Sequence, residues 1–304
     1  MVNILISGYY GFDNIGDESI LRTLVSSLRE HIPDCSLTVL SHNPASTREK
    51  YGVEAVDRMS PMAILRAVKK CDMLISGGGS LLQDVTSSKS LHYYLSIIRC
   101  AEFFHKKVFI YSQGIGPIDR PDNRRAAAAA LKRADGIVVR DERSASLLEE
   151  IGIARDKVVI TADPVIRMKK PDGDVGAEIL RKAGVSLDGR LTVGWAIRER
   201  DTDSRFVKEL LRSIQMMKDK YNAQSVLIPF HYEEDGEVCR HIAAQLPDDT
   251  AVCLNEKYLS EDMLSIIGNM DLLVGVRLHS LIYAAIMGLS LIHISEPTRR
   301  TPIS

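Results

Sequence analysis

Short apolar runs of strand length alternate with amphipathic stretches of helical length along almost the whole chain, and nothing else constrains its fold as strongly. In the first half the strand-like runs cover residues 2–6, 36–40, 73–75, 108–111, 137–139 and 158–161. Helical patterns lie between them at 19–31, 63–70, 93–104, 123–133 and 144–151. Strands separated by helices at this spacing predict βαβ units and a parallel sheet. Over residues 169–176 the periodicity gives way to Pro171, Gly173 and charge, the mark of a linker. The pattern then restarts, with strands at 191–196, 226–228, 251–254 and 272–274 and helices at 206–220, 237–245, 261–269 and 280–287. The expectation is an α/β chain of two Rossmann-type domains, 1–168 and 177–288, without a solenoid repeat. A length of 304 residues fits two domains.

Composition excludes several function classes. Lys+Arg number 39 against 40 Asp+Glu, so no concentrated basic face for nucleic acid is expected. Met1 to Gly8 carries no charged leader and reads as a first strand rather than a signal peptide. The longest apolar stretch, 278–294, is broken by His279, Ser280, Ser290 and His293 and is too short and polar to span a bilayer, so no membrane anchor is expected. The five cysteines form no CxxC pair, which fits reduced thiols in a cytoplasmic protein. Residues 289–304 break both periodicities and read as a non-native tail resembling translated sequencing adapter, leaving the second domain incomplete.

The unusual residues fall where strands end. Residues 2–6 lead into Gly8-Tyr-Tyr-Gly-Phe-Asp-Asn-Ile-Gly-Asp-Glu18, and residues 73–75 lead into Gly77-Gly-Gly-Ser-Leu-Leu-Gln-Asp84. Residues 108–111 lead into Gln113-Gly-Ile-Gly-Pro117, and 137–139 into Arg140-Asp-Glu-Arg-Ser144. In the second half, Arg198-Glu-Arg-Asp201, Pro229 to Asp235 and Gly275-Val-Arg-Leu-His-Ser280 follow strands in the same way. In open parallel sheets the carboxyl ends share one edge, and ligands bind in the crevice there. Two loaded edges suggest two domains facing across one cleft.

Each segment also has a plainer explanation. The glycines from Gly8 to Gly16 match a dinucleotide turn only loosely, and Ser41 and His42 stand where an acidic residue would follow the next strand, so NAD is not expected. Asp17 and Glu18 suit capping of a helix start or binding of a hydroxyl. Three consecutive glycines at 77–79 favour close approach of a ligand over an ordinary turn. Arg277, between an apolar strand and an apolar helix, requires an anionic partner; lacking a protein carboxylate, it would take a substrate phosphate or carboxylate. Arg140 at a strand end poses the same question, answered either by acids nearby or by a ligand. His279 is either a core imidazole or a proton-transfer group, since an unperturbed imidazole titrates near pH 6.5, about the operating range. His231, Glu233, Glu234 and Asp235 could imitate a metal cluster, but a solvated acidic loop explains them and no metal is expected.

Taken together, GYYGFDNIGDE, GGGSLLQD followed by Thr86 and Ser87, QGIGP, VRDERS and VRLHS resemble the polysaccharide pyruvyltransferase family, in particular its CsaB-type members, over residues 1–288. The resemblance implies a GT-B-like pair of Rossmann-type domains around a cleft. It implies transfer of the pyruvyl group of phosphoenolpyruvate to two sugar hydroxyls as a cyclic ketal, with no further cofactor. The implied acceptor is N-acetylmannosamine of a lipid-linked secondary cell-wall polymer precursor, the polymer that anchors S-layer proteins. Such a protein would work in the cytoplasm, reaching the inner membrane face through its acceptor; homo-oligomerisation stays open. The family's donor-binding arginines would fall on Arg140 and Arg277 and its histidine on His279, with Asn14, Asp17, Gly78, Gly79, Ser80, Gln83 and Asp84 lining the cleft opposite. In that scheme the two arginines clamp the donor and His279 moves the proton. Family members continue well past the VRLHS segment, which puts the activity of this shorter chain in question. A nucleotide-sugar glycosyltransferase of the same architecture and a non-catalytic sugar- or anion-binding protein stay open as alternatives.

Overall fold

The alternation resolves into two parallel sheets. A computed structural model of the chain describes residues 1–85, 87–198 and 204–290. Strands β1 (Val2–Tyr10), β2 (Cys35–Ser41), β3 (Glu54–Asp57), β4 (Met73–Ser76), β5 (Lys107–Gln113), β6 (Gly136–Val139) and β7 (Val158–Ile160) form the first sheet. Its order is β3-β2-β1-β4-β5-β6-β7. Strands β8 (Thr192–Ala196), β9 (Gln224–Leu227), β10 (Ala251–Cys253) and β11 (Leu272–Gly275) form the second, in the order β10-β9-β8-β11. The chain therefore reverses direction across each sheet between β1 and β4, and again between β8 and β11. Those two switch points are where crevices open at the carboxyl edge.

Helices α1 (Ile15–His31), α2 (Pro44–Tyr51), α3 (Pro61–Lys70), α4 (Ser88–Phe103), α5 (Pro121–Leu131) and α6 (Glu142–Glu150) serve the first sheet. Helices α7 (Val175–Lys182), α8 (Ser204–Tyr221), α9 (Tyr232–Ala243), α10 (Ser260–Gly268) and α11 (Leu278–Met287) serve the second. Most starts obey local rules: Asn14, Asn43, Ser60 and Asp141 cap α1, α2, α3 and α6 by accepting free amide hydrogens.

Two elements escape the apolar pattern. Helix α2 is polar almost all round, with Thr47 and Tyr51 buried, and β3 is a four-residue edge strand with one buried side chain. Neither has an apolar periodicity to read. Helix α7 lies where no helical stretch is expected; it begins at Val175, and its Gly176 amide donates to Ser265 Oγ at 2.8 Å.

Helix α1 belongs to both halves. Ile15 and Ile20 lie in one apolar cluster with Val226, Ile228, Phe230 and Tyr283. The Ile15 amide donates to the Phe230 carbonyl at 2.8 Å, and Ser19 and Tyr283 share a hydroxyl–hydroxyl hydrogen bond. Asp13 accepts from Lys50 of the first half at 3.0 Å and from Lys257 of the second at 2.6 Å. The amino end of α1 is thereby held against the edge of the second sheet.

Candidate functional site

The two switch points face each other across a cleft of about 400 Å³, lined by Tyr9, Asn14, Asp17, Ser80, Gln83 and Tyr94 from one side and Arg198, His231, Glu234 and Arg277 from the other. Asn14 and His231 meet across it in an isolated antiparallel bridge.

Glycine-rich segments after β4 and β5 build the first wall by pairing with each other. The Gly114 amide donates to Gly79 O at 2.9 Å, Gly116 to Leu82 O at 2.8 Å and Asp84 to Pro117 O at 3.1 Å. Asp84 is spent on this scaffold. Its carboxylate accepts from the Asp119 and Arg120 amides at 2.9 and 3.0 Å and from Asn123 Nδ2 at 2.8 Å, so it does not line the cleft as the motif suggested. The triple glycine also finds its reason inside the protein. A methyl on Gly77 would meet the Tyr10 hydroxyl at 2.1 Å, one on Gly78 Ile20 at 2.9 Å, and one on Gly79 the Asp17 carboxylate at 2.8 Å. Packing explains these glycines without a ligand.

Arg140 and His279, 139 positions apart in sequence, come together on Asp163. Arg140 Nη1 donates to Asp163 Oδ2 at 2.8 Å, and His279 Nε2 stands 3.6 Å from the same oxygen. Arg140 Nη2 donates to Ser80 Oγ at 3.0 Å, and Gly114 leaves room for the guanidinium. Burial alone would raise the Asp163 carboxyl, but His279, the Val165 amide and Arg140 more than offset it and hold it below the usual carboxylate range. Asp163 follows β7 by three residues and obeys the rule that picked out Arg140; the sequence reading passed over it.

Arg277 is likewise paired. It donates from Nε and Nη2 to Asp235 at 3.1 and 2.5 Å, a bidentate fork on a fully buried carboxylate. The acids after His231 are the first turn of α9 rather than a solvated loop, and Asp235 also accepts the His231 amide at 2.9 Å. Two unpaired arginines waiting for an anion are therefore not what the cleft presents; each carries an internal carboxylate.

Asp17 is the residue this environment changes most. Asn14, not Asp17, caps α1, and Glu18 turns away to accept from the Gly11 amide at 2.8 Å and from the Tyr51 hydroxyl. Burial pushes the Asp17 carboxyl up to about 7, a rise to which Glu18 adds and against which His279, Arg140 and Arg277 act. The cleft floor thus holds a carboxyl that exchanges its proton near neutrality, in the field of His279 and both arginines. His279 packs on Gly16, where a methyl would lie 2.2 Å from Nδ1. Gly16→Ala is expected to destabilise the protein, whereas the same change in a His279→Ala background should stabilise it by about 1 kcal/mol through helix propensity. Urea unfolding of the four proteins checks the sign reversal.

Thr86 and the segment 199–203, which holds Glu199, Arg200 and Asp201 of the stretch that follows β8, lie outside the described residues, as does the tail 291–304. Among the described residues no group of His, Cys, Asp and Glu is arranged to hold a metal, and no helix is long and apolar enough to cross a membrane.

Known proteins agree with this arrangement at different depths. The amylovoran biosynthesis protein AmsJ of Erwinia amylovora is 22% identical over 239 residues, covering 65% of this chain and 57% of AmsJ, so the chain spans little more than half of that relative. Among solved structures, the UDP-GlcNAc 2-epimerase of Methanocaldococcus jannaschii matches 95% of the chain and 82% of its own at a TM-score of 0.64 and 12% identity. The ADP-heptose heptosyltransferase II of E. coli matches 94% and 82% at a TM-score of 0.50 and 13% identity. At such identities these two share the fold alone, the GT-B arrangement of facing parallel sheets. The family model for polysaccharide pyruvyl transferase aligns with residues 14–296, nearly the whole chain, and on that ground the chain belongs to the polysaccharide pyruvyl transferase family.

Proposed function

We propose that this protein transfers the pyruvyl group of phosphoenolpyruvate to a pair of hydroxyls on a sugar of a polysaccharide precursor, closing a cyclic ketal. Asp17 on the cleft wall, in the field of Arg277 beside it and of the Arg140–Asp163–His279 cluster, carries this reading, because ketal formation needs anion recognition and proton transfer close together. The methylene carbon of the donor takes a proton, one sugar oxygen adds to the central carbon, and the second oxygen displaces phosphate. Of the two hydroxyl protons released, one restores the acid that protonated the methylene and the other leaves with phosphate. Asp17 in its protonated form is suited to supply the first proton, and His279 to receive one from the attacking hydroxyl. With Arg140 and Arg277 held by Asp163 and Asp235, the donor's charge is met by their remaining N–H groups and by a neutral Asp17. The acceptor we favour is N-acetylmannosamine of a lipid-linked secondary cell-wall polymer precursor, reached in the cytoplasm at the inner membrane face.

His279→Ala is the test. Phosphate release from phosphoenolpyruvate with a lipid-linked N-acetylmannosamine disaccharide should fall by at least about 100-fold, while calorimetric binding of phosphoenolpyruvate persists. Unchanged turnover removes His279 from the chemistry. Stabilisation by a nucleoside diphosphate sugar but not by phosphoenolpyruvate overturns the function.

A further inference from the structure

A second cavity of about 720 Å³ adjoins the first and shares Tyr9, His231 and Glu234 with it. Three stacked aromatic rings line it beside the charged side chains of Asp13, Arg48, Glu233 and Lys257. Tyr9 and Phe12 stack with ring centroids 4.1 Å apart at 5°, and Phe12 and His42 stack 4.3 Å apart at 4°, so three nearly parallel rings run outward from the cleft.

This ladder is built rather than incidental. The Arg58 guanidinium lies 5.8 Å from the Tyr9 ring and 5.1 Å from that of Phe12, and at 4.6 and 5.5 Å from Tyr93 and Tyr94. It donates to Gly8 O at 2.9 Å and Tyr94 Oη at 3.2 Å and is only 7% exposed. Desolvated cation–π contact of this kind is among the stronger forms of the interaction. A buried cation thus anchors rings whose outer member, His42, is exposed to the cavity.

A polar group waits at the junction. His231 is 6% exposed and caps α9, its Nδ1 accepting the Glu234 amide at 3.4 Å. Its Nε2 is buried with no hydrogen-bond partner among the described residues. A transfer reaction must bring two ligands into contact, and the two cavities share the wall that Tyr9, His231 and Glu234 form. A pyranose ring presents both chemistries found there, since its C–H face packs on an aromatic ring and its hydroxyl oxygens accept hydrogen bonds from a ring N–H such as His231 Nε2–H.

We propose that the Tyr9–Phe12–His42 ladder is the acceptor subsite, packing a pyranose ring while His231 Nε2–H donates a hydrogen bond to one of its hydroxyl oxygens. The assignment rests on the transferase reading in that it makes the smaller cleft the donor site. Aromatic contact sets which sugar face lies down, and His231 sets which hydroxyl is presented.

Saturation-transfer NMR with methyl glycosides of glucose, galactose, mannose and their 2-acetamido forms tests it, beside calorimetry of phosphoenolpyruvate binding. At least one pyranoside should receive saturation on its ring C–H protons. Phe12→Ala and His42→Ala should each weaken that binding about fivefold, and His231→Asn, which keeps a good helix cap, about tenfold. Phosphoenolpyruvate affinity should hold in Phe12→Ala and His42→Ala. Pyranoside binding without phosphoenolpyruvate binding leaves the ladder standing and removes the donor assignment. Phosphoenolpyruvate binding without pyranoside binding, equal pyranoside binding in all variants, parallel loss of both ligands in Phe12→Ala, or binding of neither by the unaltered protein overturns the proposal.

Discussion

Asp17→Asn should make the protein more stable, by about 3–4 kcal/mol at pH 8. The carboxyl titrates near 3.8 in an unfolded chain and at about 7 in the folded cleft. Between those two values the folded state keeps a proton that the unfolded chain has released. The stability of the protonated form is therefore complete below pH 3.8, declines as pH rises to 7 and stays reduced above it. Asparagine keeps the shape and removes the titration. Urea unfolding at pH 5 and pH 8 should show the gap between variant and parent widening by about 2–3 kcal/mol. A gap that is constant with pH would mean that Asp17 is an ordinary solvated carboxylate.

The same carboxylate couples stability to ligand binding. Ionised Asp17 repels an anion in a cleft whose arginines are already paired, so phosphoenolpyruvate affinity should weaken as pH rises through about 7 and lose that dependence in Asp17→Asn. A variant more stable yet unable to pass a proton is the usual exchange at a functional site, where a strained or desolvated group is kept for its chemistry.

Position, rather than motif spacing, made the cleft legible in the sequence. Arg140, Arg277, His279 and Asn14 all follow strands, and in parallel sheets that places each at the carboxyl edge of its own sheet before any contact is known. Asp163 stands in the same relation to β7 and could have been found by the same rule. Partnership was not legible, because which acid reaches which arginine depends on how two sheets face each other. The triple glycine misled for a related reason: its demand comes from Tyr10, Ile20 and Asp17, side chains on β1 and α1 that arrive only with the tertiary fold. Glu233, Glu234 and Asp235 misled because α9 starts at Tyr232, not at residue 237, which turns an acidic loop into a helix first turn with one face inward. Helix α2 and strand β3 lack the periodicity on which such reading depends.

Removal of that inward acid should be the most damaging single change in the second half. Asp235 is fully buried, takes two hydrogen bonds from Arg277 and accepts the His231 amide that opens α9. Asp235→Ala leaves a cation in a site where its side chain is only 20% exposed, and breaking a buried pair in this way costs about 3–5 kcal/mol. Glu233→Gln, two residues earlier on the same turn but exposed, should stay within about 0.5 kcal/mol of the parent. Urea midpoints of the two variants separate a structural ion pair from a surface acid, and similar small losses in both would return Asp235 to the solvated loop. Asp235→Asn divides the effect further, because it retains a hydrogen-bond acceptor and discards the charge. If charge neutralisation holds Arg277, the asparagine variant recovers less than half of the loss. Fuller recovery would mean that hydrogen-bond geometry holds it, leaving the guanidinium charge free for the donor after all.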